Sequence, residues 1–422
     1  MPRPWSFTAL AAICAAAASV FAQAPMQYPN TGYRGLTSSY RAPAVPRIEP
    51  QPPAPPSEPS PSDKPAPLAP QEDGKSYAAF DCAPPAAPCV LWYGRAGANF
   101  MTRDDPDPLW LSYNTANLGD GRLSTDHASP SWGWGADVVL GRMLGGGAYA
   151  LEVGYWGITP SNQQADAFDP DGTTGNATDL DTTLPFDSLD YNGTAAVDFF
   201  TNAEMHRLIR NYEAHNVELN LVGSPFFGSG YQYCGHQFNF RWLVGVRYLK
   251  FNDGFEYMTD DADRVFTGDV NELTYLIDVD NNFIGGQVGL GIDYRFHQAF
   301  TAYGTVKTGL YGSHISQRSR ISGSAGNAVV NNAASPYNGQ EFNVSSSTTD
   351  VSIIGEIDLG FRYQFARHWS ATMGYRAVGI TGVGLTTDQI PLYFADIGGV
   401  RDVNNSSSVI LHGGYFGFEF LY

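Results

Sequence analysis

The sequence predicts an all-β protein, an antiparallel transmembrane β-barrel of about ten strands that follows a disordered proline-rich segment. Three observations lead to this class. Only 16% of the 422 residues are charged, while 14% are aromatic and 46 are glycine, a composition suited to strands and turns. From residue 90 onward, apolar and polar residues alternate with a period of two, as in a strand with two different faces. Short connections alternate with long ones between these stretches, which is typical of outer-membrane barrels.

The charge balance excludes some classes of protein. The formal net charge is -18, whereas a nucleic-acid-binding domain shows a basic patch or stripe. We therefore expect no nucleic-acid partner. No Cys/His cluster indicates a zinc site, and we expect neither a metal nor a cofactor.

Residues 1–22 are predicted to be a secretory signal peptide. Arg3 precedes an apolar stretch from Phe7 to Val20, and Ala22 and Ala24 flank Gln23 as a small-residue cleavage site. We expect cleavage after Ala22. An uncleaved membrane anchor is the alternative, but it would need a longer apolar run.

Residues 23–80 are predicted to be a disordered periplasmic segment. Between Pro43 and Pro70, 12 of 28 residues are proline, and such a run favours an extended conformation that buries no core. It is either an unstructured leader or a contact with the cell wall.

Three cysteines remain after cleavage. Cys82 and Cys89 enclose a stiff Ala- and Pro-rich loop, so a disulfide between them is plausible in an oxidising compartment. Cys234 is then left over, and the sequence does not assign it a partner.

Residues 90–422 are predicted to form the barrel. The clearest strand is 351–365, where Val351, Ile353, Ile357 and Leu359 alternate with polar residues. An even number of strands places both ends of the barrel on one side of the membrane. The ten alternating segments are 90–100, 133–142, 148–158, 216–223, 238–249, 272–296, 300–312, 351–365, 369–376 and 410–422.

The sixth of these strands carries an irregularity. Its apolar parity switches between Val279 and Ile284. A one-residue bulge at 280–282 would restore the register, and we expect one there.

The connections distinguish the two ends of the barrel. Short turns are expected around 144–147, 223–236, 296–299 and 366–368, and long extracellular loops at 101–132, 159–204, 257–272, 316–350 and 382–407. Interfacial aromatic girdles are predicted at the strand ends. Their members are Trp92, Phe100, Trp134, Tyr155, Trp242, Tyr363 and Trp369. A soluble barrel is the alternative, but its outward face should be polar.

Four sequence segments carry a resemblance to a known family. They are 215–220, 245–251 together with Phe255, 282–289, and the aromatic C-terminal strand. In this order they resemble the seventh beta-barrel porin family, over roughly residues 90–422. The resemblance implies a bacterial outer-membrane barrel, and the family name describes architecture rather than demonstrated transport. The aromatic C-terminal strand ending at Tyr422 also resembles the signal that the barrel-insertion machinery recognises.

The polar parity of the strands places charged residues in the lumen. The predicted lumen-lining residues are Arg95, Asp137, Glu152, Glu218, Arg241, Arg247, Asp293, Lys307, Glu356, Asp358, Arg362, Arg376 and Glu419. Six basic and seven acidic groups nearly cancel. In a barrel with few strands, side chains can fill the interior, so these charges either pair into a plug or line a narrow pore.

Two functions therefore remain open. The first is a porin-like barrel that passes small polar solutes through a narrow charged lumen. The second is a structural or adhesive surface barrel with a plugged lumen, acting through its long loops. Both place the protein in the outer membrane of a Gram-negative-type envelope, in contact with its lipid.

An enzyme is not expected. Asp104, Asp105, Asp126 and His127 lie in the first long loop, without the placement at the barrel rim that a general base needs. The carboxylates of the second loop, such as Asp166 and Asp169, lack the frame of a helix-loop-helix calcium site.

Overall fold

The computed structural model describes residues 92–105, 108–144, 149–169, 179–223 and 238–421. Several sequence-based predictions lie outside these residues. They are the signal peptide, the proline-rich segment, Cys82, Cys89, Cys234, Tyr422 and the turns at 145–148 and 224–237.

Ten antiparallel strands form a closed barrel, which confirms the predicted fold class. The barrel strands are β1 (Trp92–Arg103), β4 (Gly133–Leu144), β5 (Tyr149–Phe168), β9 (Met205–Gly223), β10 (Phe238–Asp260), β11 (Glu272–His297), β12 (Phe300–Gly323), β15 (Asn343–Gln364), β16 (Trp369–Val383) and β17 (Ser407–Leu421). In spatial order they run β11-β10-β9-β5-β4-β1-β17-β16-β15-β12, and pairing of β12 with β11 closes the ring. The first and last strands are neighbours, with Tyr93 opposite Leu421.

Smaller elements lie in the long connections. They include two three-stranded sheets, four 3-10 helices and one short α-helix among the described residues. Their bounds are β2 (Trp110–Asn114), β3 (Asn117–Ser124), β6 (Leu180–Thr182), β7 (Leu189–Tyr191), β8 (Thr194–Ala195), β13 (Gly326–Asn327), β14 (Val329–Val330), the 3-10 turns Thr125–Ala128, Phe186–Ser188, Ala196–Phe199 and Thr386–Gln389, and α1 (Ile397–Val400). Among the described residues, no helix is long and apolar enough to cross a membrane.

Several strands run beyond the predicted ends. β5 continues to Phe168, β10 to Asp260 and β12 to Gly323, and β15 begins at Asn343. The predicted loops at 159–204, 257–272 and 316–350 are therefore partly strand. The shorter strands β1, β4, β16 and β17 end nearer the membrane. Pairing of β4 with β5 ends at Asp137–Trp156, and pairing of β15 with β16 begins at Ile354–Ile380. Above these levels β5, β9, β10, β11, β12 and β15 form an open wall of six strands.

The apolar and polar faces of the strands exchange sides along the wall. Near the short-turn end of β11, Ile284 and Val288 face outward and are exposed, while Gln287 faces inward and is buried. Nearer the long-loop end, the inward side chains are apolar and buried, as for Tyr275 and Val279. The outside changes from lipid to water along this axis, so the apolar parity must switch faces.

The predicted bulge at 280–282 is therefore wrong. From Val279 to Ile284 the register of β11 with both β10 and β12 is continuous. The apolar residues change parity at the edge of the membrane, and no extra residue is inserted in the strand.

The outward apolar band is bordered by aromatic residues. Trp92, Tyr363 and Trp369 are exposed near the short-turn end, and Phe100 and Trp134 are exposed at the opposite border. Rings on neighbouring strands pair across the surface, with centroids 4.8 Å apart for Trp369–Phe420 and 4.7 Å for Phe300–Tyr363. This arrangement is that of interfacial girdles.

A folded cap covers the long-loop end. The cap comprises residues 108–132, 179–204, 324–342 and 384–406. Each segment contributes buried apolar side chains to one cluster with the upper parts of β9–β12. The rings of Phe186, Phe200 and Phe394 lie at its centre, with centroids 4.7 Å apart for Phe186–Phe200 and 4.8 Å for Phe186–Phe394.

Candidate functional site

The interior of the barrel holds a continuous network of buried charges at the level of the membrane. We call it the central ion-pair network. It contains four basic and four acidic side chains, which balance in charge. Its members are Arg95, Asp137, Glu218, Arg247, Lys307, Glu356, Asp358 and Arg376.

One half of this network lies between Glu218 and Glu356. Arg247 Nη2 lies 2.5 Å from Glu218 Oε1 and also contacts Glu356. Lys307 Nζ lies 2.9 Å from an oxygen of each carboxylate. Glu218 also accepts hydrogen bonds from the amides of Asn220 and Gln287, each at 2.9 Å. Two cations thus bridge the same two anions, which holds four strands together across the lumen.

The other half of the network is centred on Arg376. Its Nη1 lies 2.8 Å from Asp137 Oδ2 and its Nη2 lies 3.1 Å from Asp358 Oδ2. Its Nε lies 3.6 Å from Glu356 and joins the two halves. Arg95 completes the chain, with Nη2 at 2.8 Å from Asp137 Oδ1.

Aromatic side chains enclose the Arg376 guanidinium. Its carbon lies 5.0 Å from the ring centroid of Tyr415 and 5.8 Å from that of Trp156, within the range of cation–π contact. Tyr415 also donates a hydrogen bond to Asp358.

The remaining predicted lumen residues lie nearer the short-turn end and outside the network. Arg241 pairs with Asp293 at 3.1 Å, Arg362 pairs with Glu419, and Glu152 accepts a hydrogen bond from Tyr93. These pairs are more exposed than the network, since 26% of the Arg241 side chain is accessible against 1% for Arg247 and Glu356. Solvent therefore reaches this end of the interior more readily than its centre.

A layer of apolar side chains lies directly above the network. We call it the apolar layer. Four of its residues stand two or four positions beyond Arg247 or Arg376 on the same strands, one lies on β11 and one on β17, and all six are fully buried. They are Leu249, Phe251, Phe283, Val378, Ile380 and Leu411. The sequence pattern did not predict this layer, because all inward positions were assigned to a polar lumen.

A second buried ion pair lies above the apolar layer. Arg103 Nη1 and Asp253 Oδ1 are 2.9 Å apart, and each side chain is 1% exposed. The backbone N–H and hydroxyl of Thr386 donate to Asp253 at 2.9 and 2.8 Å. Asn281 exchanges two hydrogen bonds with the backbone of Gly384. The connection from β16 to β17 is thereby drawn into the mouth of the barrel.

A buried histidine lies at the upper end of β9, against the cap. His206 Nδ1 lies 2.8 Å from Ser112 Oγ and 3.0 Å from the hydroxyl of Tyr257. Complete burial lowers the pKa of His206 to about 3, because the charged imidazolium cannot be hydrated there. This histidine is neutral at physiological pH, and its contacts are those of a core residue.

The loop carboxylates considered for catalysis take part in structural contacts. Asp104 accepts a hydrogen bond from the backbone of Ile410, and Asp105 pairs with Arg210 at 2.9 Å. His127 accepts a hydrogen bond from the backbone of Ser124. Asp166, which was predicted to lie in the second loop, is on β5 and pairs with Arg207 of β9 at 2.8 Å. In the described part of the chain, no group of three His, Cys, Asp or Glu side chains could hold a metal ion.

The fold and its interior define a class, a ten-stranded transmembrane β-barrel of porin-like architecture with a charge-paired interior. The family model described as Putative beta barrel porin-7 (BBP7) matches residues 115–396, more than half of the chain. The chain belongs to this family. No curated protein matches the chain.

Solved structures with a similar arrangement are outer-membrane proteins. The chain is similar to the outer membrane protease OmpT from Escherichia coli, at 9% identity and a TM-score of 0.40, over 80% of this chain and 98% of that one. It is also similar to a major outer membrane protein from Thermus thermophilus, at 11% identity and a TM-score of 0.27, over 77% and 99% of the two chains. For OprG from Pseudomonas aeruginosa the values are 12% identity and a TM-score of 0.26, over 78% and 95%.

Proposed function

We propose that this protein is a closed outer-membrane barrel that does not conduct solutes and acts at the cell surface through its cap. The observation that carries the proposal is the filling of the interior. The central ion-pair network, the apolar layer and the Arg103–Asp253 pair are stacked along the axis, and none of their side chains is more than 16% exposed. Each would have to move before a hydrated solute could pass.

The apolar layer supports this proposal more strongly than the charges do. A ring of charges can be hydrated and can select ions, whereas a narrow apolar constriction excludes water. Separating the network charges would also leave carboxylates in a dry interior, which costs several kcal/mol per ion. A narrow charged pore, the other function predicted from the sequence, would need both barriers to open.

The proposed location is the outer membrane of a Gram-negative-type envelope. The outward apolar band with its aromatic borders supports contact with outer-membrane lipid. We propose in addition that the C-terminal strand is recognised by the barrel-insertion machinery, and that the proline-rich segment extends into the periplasm and reaches the cell wall. On this proposal the cap and the upper strands of the wall are extracellular and carry the binding surface.

Planar-bilayer conductance of the refolded mature barrel tests the proposal. Insertion is verified beforehand by the heat-modifiable gel mobility of a folded barrel. We expect inserted protein to produce no discrete current steps. Reproducible steps whose ion selectivity reverses in the Glu356→Lys variant would overturn the proposal and establish the narrow charged pore instead.

A further inference from the structure

The six-stranded wall ends in an open edge on β15. On one side, residues 343–363 of β15 pair with β12 along their whole length. On the other side, pairing with β16 begins at Ile354. Among the described residues, no backbone hydrogen bond joins residues 344–353 to the connection 384–406 that passes nearby.

One contact fixes which backbone groups point to this edge. The N–H of Ile353 donates to the Thr381 hydroxyl of β16 at 3.1 Å, so Ile353 directs its backbone to the β16 side. Successive residues of a strand direct their N–H and C=O to opposite sides. Ser345, Ser347 and Thr349 therefore direct theirs to the same open edge, and all three residues are exposed. Val351 has the same orientation, but its N–H donates to the Asp350 carboxylate.

The edge lacks the usual protection against strand addition. Natural edges carry lysines, prolines, bulges or a covering segment. The segment 345–351 reads Ser-Ser-Ser-Thr-Thr-Asp-Val, and its register with β12 is regular. Its single charge, Asp350, accepts hydrogen bonds from the Asn405 side chain at 2.9 Å and from the backbone N–H of Val351 at 2.7 Å, so the open part of the edge runs from Ser345 to Thr349. An extended, regular and largely uncharged row of donors and acceptors thus faces solvent above the membrane.

We propose that this edge binds an extended segment of another polypeptide at the cell surface, which adds to β15 as an antiparallel strand. The inference rests on the proposed surface function and names the kind of partner. A row of alternating N–H and C=O groups at strand spacing is complementary to another strand, and strand addition is an established mode of peptide recognition. The hydroxyl and β-branched side chains of the edge favour a partner strand rich in Ser, Thr and Val.

A second copy of the barrel does not fit the edge. The two-fold axis that relates two antiparallel strands of one sheet is perpendicular to the sheet. For a barrel wall that axis lies in the plane of the membrane, so the second barrel would be inverted. The chain's own proline-rich segment is also a poor partner, because proline has no N–H to donate to a ladder.

Hydrogen exchange with a defined peptide tests the inference. The probe is a twelve-residue peptide, Lys-(Thr-Val)₅-Lys, added at millimolar concentration to the refolded full-length barrel. We expect the amides of Ser345, Ser347 and Thr349 to exchange at least about tenfold more slowly with the peptide present. The amides of Val344, Ser346 and Thr348 face β12 and should be unaffected.

A matched pair of variants separates backbone recognition from other binding. Ser347→Pro removes an edge N–H that makes no bond to β12, and proline is tolerated at such edge positions. We expect it to keep the heat-modifiable fold and to bind the peptide at least about tenfold more weakly. Ser347→Ala keeps the N–H and should bind as the wild type does.

Two results would overturn the inference. One is that the peptide does not slow amide exchange at residues 345–349 of the wild-type protein. This includes the case in which exchange slows only at the upper part of β5. The other is equal binding by the proline and alanine variants. Neither result affects the conductance experiment, so failure of this inference is distinguishable from failure of the closed-barrel proposal.

Discussion

Replacing Arg247 with methionine is expected to lower the free energy of unfolding by about 3–5 kcal/mol. Arg247 is 1% exposed and contacts both Glu218 and Glu356. Its removal leaves Lys307 as the shared counter-ion of the two carboxylates, in a site with little water to replace the lost charge. The measurement is urea unfolding of the refolded barrel in detergent, followed by tryptophan fluorescence and gel mobility.

Two further variants distinguish the loss of a buried, paired charge from the loss of an arginine in general. Arg142→Met removes an exposed arginine whose guanidinium lies 5.2 Å from the ring centroid of Trp92, and it should cost about 1 kcal/mol or less. Adding Glu356→Gln to Arg247→Met removes the unbalanced charge and should restore part of the lost stability. If Arg247→Met costs no more than Arg142→Met, the network is hydrated and the interior is not dry.

Replacing Phe394 with alanine is expected to open the cap while the barrel remains folded. Phe394 is fully buried, and its ring centroid lies 4.8 Å from that of Phe186 and 5.4 Å from those of Tyr275 and Phe342. Deleting a buried phenylalanine ring costs about 3–5 kcal/mol. Since cleavage of a locally opened segment follows its population, protease cleavage within the cap should become at least about 100-fold faster.

The same segment provides the control. Leu392 lies two residues away and is 96% exposed, so Leu392→Ala should leave the cleavage rate unchanged. The barrel should show normal heat-modifiable mobility in both variants. Equal cleavage of both variants would mean that the connection from β16 to β17 does not pack into the cap, against the contacts described above.

The membrane-spanning part of the fold is the part that sequence pattern predicts well. Lipid on one side and paired charges on the other impose a strict alternation, and 351–365 illustrates it. The same alternation locates Arg247, Glu218 and Glu356 on the inward face. Pairing partners do not follow from it, since they depend on the register of strands far apart in the chain.

The part outside the membrane is harder to predict for a physical reason. Above the membrane border, water lies outside and an apolar core lies inside, so the alternation continues with its faces exchanged. The apolar face changes sides between Val279 and Ile284. From the sequence pattern alone, this change was interpreted as a bulge. Phe200 and Phe394 lie in acidic, polar segments, and their burial depends on packing between four separate connections that no local pattern reveals.

Thiol labelling of the barrel interior tests the closed-barrel account most directly. The background is the mature chain with Cys82, Cys89 and Cys234 replaced by alanine. Ser313 faces inward and is 2% exposed, whereas Ser347 is exposed on the outer face. A charged methanethiosulfonate reagent should modify the Ser347→Cys variant to completion and the Ser313→Cys variant on the order of 100-fold more slowly. Equally fast modification of both variants in the folded barrel would contradict a dry, closed interior.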